Sequence, residues 1–163
     1  MPHSEQHNHY PATDTLKCDP RMARLLFRAY YDELTTVSTY IYNSIQLACD
    51  CPQTAALYES IAMTEMRHFR LLGQAIRRMG GHPVIRTDLR IPSLEICHDT
   101  PRSCIDHSAR GSVRAAIAGE QTAAWEYRAL AEKTRDEALK ALLCRLAADE
   151  EEHARLFQNL CGC

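Results

Sequence analysis

The octapeptides IAMTEMRH, residues 61–68, and LAADEEEH, residues 146–153, each place a glutamate three positions before a histidine: Glu65 with His68, and Glu150 with His153. About thirty residues upstream of each lies a Glu-x6-Tyr segment, Glu33 to Tyr40 and Glu120 to Tyr127, so one half-chain pattern occurs twice. A glutamate and a histidine three apart share one face of a helix. Four helices carrying these segments can converge four carboxylates and two imidazoles on one point, a ligand set for two metal ions.

The apolar periodicity puts the same residues on core faces. In the first helix Leu26, Tyr30, Glu33, Val37, Tyr40 and Ser44 alternate in steps of four and three, the seam spacing of a bundle helix. In the second the stripe is Tyr58, Ile61, Glu65, His68, Leu72 and Ile76, and in the third Val113, Ile117, Glu120, Ala124, Tyr127 and Leu130. The fourth runs Leu139, Leu143, Leu146, Glu150, His153, Phe157 and Leu160, with Glu151 and Glu152 projecting away from it. Each stripe is interrupted by an acid at mid-length.

An ionised carboxylate without a partner in an apolar core costs many kcal/mol and takes up a proton instead, and four together repel one another. Two divalent cations offset four negative charges. Hard oxygen donors with two imidazoles suit iron or manganese better than a metal that prefers thiolates. A single Glu-x-x-His reads best as surface residues on an amphipathic helix; two copies in a duplicated frame favour the dinuclear site.

A chain of 163 residues is long enough for one core. The pattern predicts an all-α domain, a four-helix bundle over residues 19–163, preceded by a flexible tail at 1–18 that holds His3, His7 and His9. Pro20 and Pro52 fit first helical turns, where a missing N–H costs nothing, and Gly80-Gly81 followed by Pro83 stops the second helix. Helices are expected near 19–48, 52–79, 104–134 and 136–160. Gly73, inside the second, is a tolerated weak spot. Between helices two and three, residues 80–103 hold Pro83, Pro92 and Pro101 and are too long for a hairpin. Such a connection can run the height of the bundle, giving an up-down-down-up order.

With that crossover, Glu33, Glu65-x-x-His68, Glu120 and Glu150-x-x-His153 resemble the ferritin-like superfamily, in particular its rubrerythrin and bacterioferritin branch, over about residues 19–160. The resemblance implies two irons, with manganese as the other candidate, terminated by His68 and His153. Either Glu65 and Glu150 or Glu33 and Glu120 bridge them. It implies a di-iron oxidoreductase, a peroxidase or ferroxidase that reduces hydrogen peroxide or dioxygen with ferrous iron. Tyr40 and Tyr127 are candidates to hydrogen-bond the ligating carboxylates, and Asp149 to orient an imidazole from a facing helix.

Rubrerythrins bear a further glutamate one turn after the helix-three glutamate, where this chain has Ala123, and many carry a rubredoxin domain with two Cys-x-x-Cys pairs, a spacing this chain lacks. The expected electron donor is therefore external, such as a rubredoxin-like protein. No fifth helix is expected before Cys163, which disfavours a storage cage. Met66 stands where bacterioferritins use a methionine as haem ligand, and interface packing is its commoner role.

The eight cysteines include the pairs Cys49/Cys51 and Cys161/Cys163, which with Cys104 gather at one pole in the inferred helix order. Free or adventitiously oxidised thiols are the default expectation, a four-thiolate site or a redox-active dithiol the alternative. A formal net charge of −2 argues against nucleic acid as a partner, and with neither signal peptide nor membrane span expected, the chain reads as cytoplasmic. Leu25, Met63, Met66 and Met79 are expected to leave apolar surface for a homodimer. The competing classes are a non-catalytic metal-binding, storage or coat-type ferritin-like protein and a dimanganese catalase.

Overall fold

The computed structural model describes residues 10–85 and 109–160. Four α-helices carry most of them: α1 (Pro20–Leu47), α2 (Pro52–Arg78), α3 (Ala109–Ala131) and α4 (Glu137–Gln158). Among the described residues there is no strand. Most of the crossover, and the expected start of the third helix at residue 104, lie outside them.

The helix ends follow local chemistry. Asp19 caps α1 by accepting from the amides of Arg21 and Met22, each at 3.0 Å, with Pro20 in the first turn. Helix α2 opens at Pro52 and closes in a Schellman turn: Gly81 N donates to Ile76 O at 2.8 Å, Gly80 N donates to Arg77 O at 3.2 Å, and Gly80 takes φ +88°. Helix α3 ends at Ala131, short of the expected residue 134, because Asp136 forms the next cap, accepting from Ala138 N and Leu139 N, while Thr134 Oγ1 accepts from Asp136 N.

Short connections make α1–α2 and α3–α4 tightly packed antiparallel hairpins. Two cross-bundle hydrogen bonds set how the hairpins meet. Tyr40 on α1 reaches Glu120 on α3, and Tyr127 on α3 reaches Glu33 on α1, so α1 and α3 run antiparallel. The order is therefore up-down-down-up, as the long crossover predicts.

The core has two apolar halves. One gathers Leu26, Tyr30, Leu72, Ile76, Leu139, Leu143 and Leu146; the other gathers Tyr40, Tyr58, Ile61, Ala116 and Phe157. Between them lies a buried layer of Glu33, Glu65, His68, Glu120, Glu150 and His153. Gly73 has a specific reason to be glycine, since a Cβ there would come within 3.1 Å of the Tyr30 ring.

Two expectations need correction. The tail expected to be flexible to residue 18 is anchored at several points from Tyr10 onward: Leu16 joins the core with Tyr10 against it, Lys17 N donates to Asp136, and Asp19 N donates to Met79 O at 3.2 Å. Residues 1–9, with His3, His7 and His9, lie outside the described residues. Met79 is fully buried, because the Schellman turn folds it back against the Leu16 end of the core; Leu25, Met63 and Met66 are exposed as expected. Cys51 is disulfide-bonded, whereas Cys18, Cys49 and Cys144 are free, both states that the expectation of free or oxidised thiols allows. The expectations for Cys104, Cys161 and Cys163 lie outside the described residues.

Candidate metal centre

Each helix contributes its interrupting acid at the middle of its buried stripe. Glu33 comes from α1, Glu65 and His68 from α2, Glu120 from α3, and Glu150 and His153 from α4. All six are buried, whereas Glu151 and Glu152 face solvent, as the stripe predicts.

The geometry is two-fold in form. His68 Nδ1 lies 2.8 Å from Glu65 Oε2, 3.0 Å from Glu150 Oε1 and 3.9 Å from Glu33 Oε1. His153 Nδ1 lies 2.8 Å from Glu65 Oε1, 3.1 Å from Glu150 Oε2 and 3.6 Å from Glu120 Oε2. Glu65 and Glu150 therefore each turn one oxygen toward either imidazole, while Glu33 and Glu120 each serve one end. The result is two four-donor groups, Glu33/Glu65/His68/Glu150 and Glu65/Glu120/Glu150/His153, and within each group one donor atom per residue lies within 4.8 Å of the others.

One imidazole nitrogen has a single hydrogen or a single lone pair, so it cannot satisfy three converging carboxylates by hydrogen bonding. Two carboxylate oxygens, Glu65 Oε1 and Glu150 Oε1, are buried and make no hydrogen bond despite their close nitrogens. Buried acceptors of this kind call for an explanation. A cation within each group supplies one, and the all-oxygen-plus-imidazole donor set fits iron or manganese. Glu65 and Glu150 thus belong to both donor groups, and Glu33 and Glu120 to one each.

Without a cation the cluster holds itself together with protons. Burial, reinforced by the charges of Glu65 and Glu150, pushes the Glu33 carboxyl well above the usual carboxylate range. Burial likewise raises Glu120 to about 8, against the pull of a hydrogen bond from His153. Burial would also raise Glu65, but the close imidazole nitrogens of His153 and His68 outweigh it and hold that carboxyl below its ordinary value. Burial disfavours the charged imidazoles, yet the surrounding carboxylates win and raise both His68 and His153 well above theirs. The cluster thus stores protons that a cation would displace.

The tyrosines pair across the bundle. Tyr40 donates to Glu120 Oε1 and Tyr127 donates to Glu33 Oε1, so each fixes the terminal carboxylate of the opposite hairpin. Burial raises both phenols, which remain protonated donors. Asp149 Oδ2 lies 3.3 Å from His68 Nε2, and Arg145 holds that carboxylate through Nε at 3.2 Å and its terminal nitrogen at 2.9 Å. The sequence reading missed Tyr10, whose hydroxyl lies 3.4 Å from His68 Nε2.

Where α1 and α3 diverge, a cleft of about 460 Å³ descends to Glu33, Glu65, Glu120 and Glu150. Asp32, Thr36 and Glu126 also line it, as does Ala123, which leaves open the space a further glutamate would occupy. No helix among the described residues is long and apolar enough to cross a membrane.

These features define a class: a four-helix bundle whose central layer of carboxylates and imidazoles is able to hold metal. The family model of the ferritin-like domain matches residues 25–162, and the chain belongs to that family. It is similar to the bacterioferritin BfrA of Mycobacterium tuberculosis, at 25% identity and a TM-score of 0.65 over 88% of this chain and 85% of that one. It also shares the fold of a Rhodobacter capsulatus bacterioferritin described as having a metal-free dinuclear site and haem iron, at 23% identity and a TM-score of 0.69 over 88% of this chain and 84% of that one. No curated protein matches the sequence.

Proposed function

We propose that the protein is a di-iron carboxylate oxidoreductase, acting as a ferroxidase or peroxidase that reduces dioxygen or hydrogen peroxide with electrons from ferrous iron. The observation that carries this reading is the sharing of Glu65 and Glu150 between two otherwise separate donor groups, which suits a pair of nearby cations and not a single one. When bound, two ferrous ions would supply two electrons, enough with two protons to take one peroxide to two waters. Manganese satisfies the same donors, so a dimanganese catalase is an outcome that the metal assay distinguishes.

The chain's own residues set the conditions for that chemistry. Glu65 and Glu150 fix the separation of the two positions. Tyr40 and Tyr127 hold the terminal glutamates so that little rearrangement is needed when charge changes. Apolar residues above and below the layer exclude bulk water, while the α1/α3 cleft admits a small oxidant and metal ions past Asp32 and Glu126. We assign electron return in a peroxidase cycle to a separate donor protein, and the exposed Leu25, Met63 and Met66 to a homodimer face.

The test is rapid mixing of anaerobically iron-loaded protein with hydrogen peroxide and, separately, with air-saturated buffer. Oxidation of about two ferrous ions per peroxide, faster than free iron under the same conditions, supports the reading. Bound iron that reacts no faster than free iron would leave a binding or structural role.

A further inference from the structure

The two halves of the site are related by an internal repeat, and their ligands correspond residue for residue, but what stands behind the two histidines does not correspond. Glu65 matches Glu150 and His68 matches His153, so the counterpart of Asp149 is Thr64 and the counterpart of Arg145 is Ser60. His68 presents Nδ1 to the carboxylates and Nε2 to Asp149 at 3.3 Å. Arg145 grips that aspartate with two nitrogens. Tyr10 closes over the same imidazole edge, its hydroxyl 3.4 Å from Nε2 and its ring edge-on at a centroid distance of 6.0 Å, with the Arg145 guanidinium 5.1 Å from the Tyr10 ring centre. His153 also turns Nδ1 inward, yet among the described residues nothing hydrogen-bonds its Nε2.

An imidazole that gives Nδ1 to a cation must carry its hydrogen on Nε2, and an acceptor there fixes both the tautomer and the ring. Asp149 provides that acceptor for His68, and Leu16, buried in the core, anchors the segment that brings Tyr10 over it. We infer that Tyr10, Asp149 and Arg145 are positioning residues for His68 and make the two metal positions unequal. The Glu33/His68 position is the tighter one, which retains its ion. The Glu120/His153 position fills last and empties first. This rests on the dinuclear reading above and adds a division of labour: one resident ion beside one that exchanges with solution.

Anaerobic titration of the full chain with Co²⁺, followed by visible absorption and by calorimetry, tests it without any turnover. The wild-type protein should show two resolved binding steps, with His68→Ala removing the tighter and His153→Ala the weaker. Asp149→Asn should weaken the tight step about 10- to 100-fold and leave the other unchanged. Tyr10→Phe, which keeps the ring and loses one hydrogen bond, should weaken the same step about fivefold. Thr64→Asp, which gives His153 the missing acceptor, should tighten the weak step and bring the two together. Two equal steps in the wild-type protein, or Asp149→Asn lowering both steps alike, would overturn the inference while leaving the dinuclear reading standing. No binding at all would overturn both.

Discussion

In the metal-free protein, replacing Glu120 by glutamine should raise stability at neutral pH and leave it unchanged in acid. Glu120 has an ordinary value of 4.5 and is raised to about 8 by burial. Because the folded-state value lies above the unfolded one, the group's contribution is fully present below about pH 4.5 and is lost as pH rises through about 8. At pH 7 the folded state still binds a proton that the unfolded chain has released, a penalty of roughly 3 kcal/mol that levels off near roughly 5 kcal/mol above pH 8. Glutamine keeps the shape of the neutral acid and an oxygen to accept from Tyr40, but has no proton to lose. For a domain of this size the gain at pH 7 corresponds to roughly 6–12 °C in Tm. Calorimetry of chelator-treated wild-type and Glu120→Gln protein at pH 4.5, 7 and 8.5 measures it. A difference that is the same at all three pH values would refute the reasoning.

Loading the site should expel protons. With Glu120 raised to about 8 and Glu33, His68 and His153 shifted in the same direction, metal binding near pH 6 should release protons, Glu120's among them, and affinity should rise with pH; a pH-stat titration releasing none would contradict this. Alanine at Glu65 or Glu150, the shared carboxylates, should lose both ions, whereas alanine at Glu33 or Glu120 should lose one, as read by elemental analysis of desalted protein. Tyr127→Phe should keep metal stoichiometry but lower stability by about 1 kcal/mol in denaturant titration, through the lost bond to Glu33. Gly73→Ala puts a Cβ within 3.1 Å of the Tyr30 ring; overpacking of about 1–3 kcal/mol should cancel the helix-propensity gain of about 1 kcal/mol, so a higher Tm would count against the tight contact.

The gathering of the four glutamates and two histidines in one buried layer was legible in the sequence because helical periodicity and the repeat both constrain them: an acid at mid-stripe in four helices has few other readings. Which glutamates lie beside both imidazoles was not legible, since Glu33 and Glu65 occupy equivalent seam positions and only the spatial pairing of the hairpins separates them. For the same reason the partners of Tyr40 and Tyr127 lie on the opposite hairpin and do not follow from the spacing within a helix. Asp149 was a candidate to orient an imidazole, and the structure identifies that imidazole as His68. Tyr10 carried no signal, because a lone aromatic in a polar, histidine-rich segment has no period, and its place depends on Leu16 finding the core. Met79 was misplaced because it sits past the last helical residue, where the Schellman turn and not the helix phase decides its direction.

The central claim is that four carboxylates and two imidazoles hold two irons bridged by Glu65 and Glu150. Anomalous diffraction at the iron edge, from crystals grown after anaerobic ferrous loading, tests it most directly. The account predicts two peaks, one beside Glu33 and His68 and the other beside Glu120 and His153, with Glu65 and Glu150 reaching both. A single peak, or iron found only away from this layer, would contradict it.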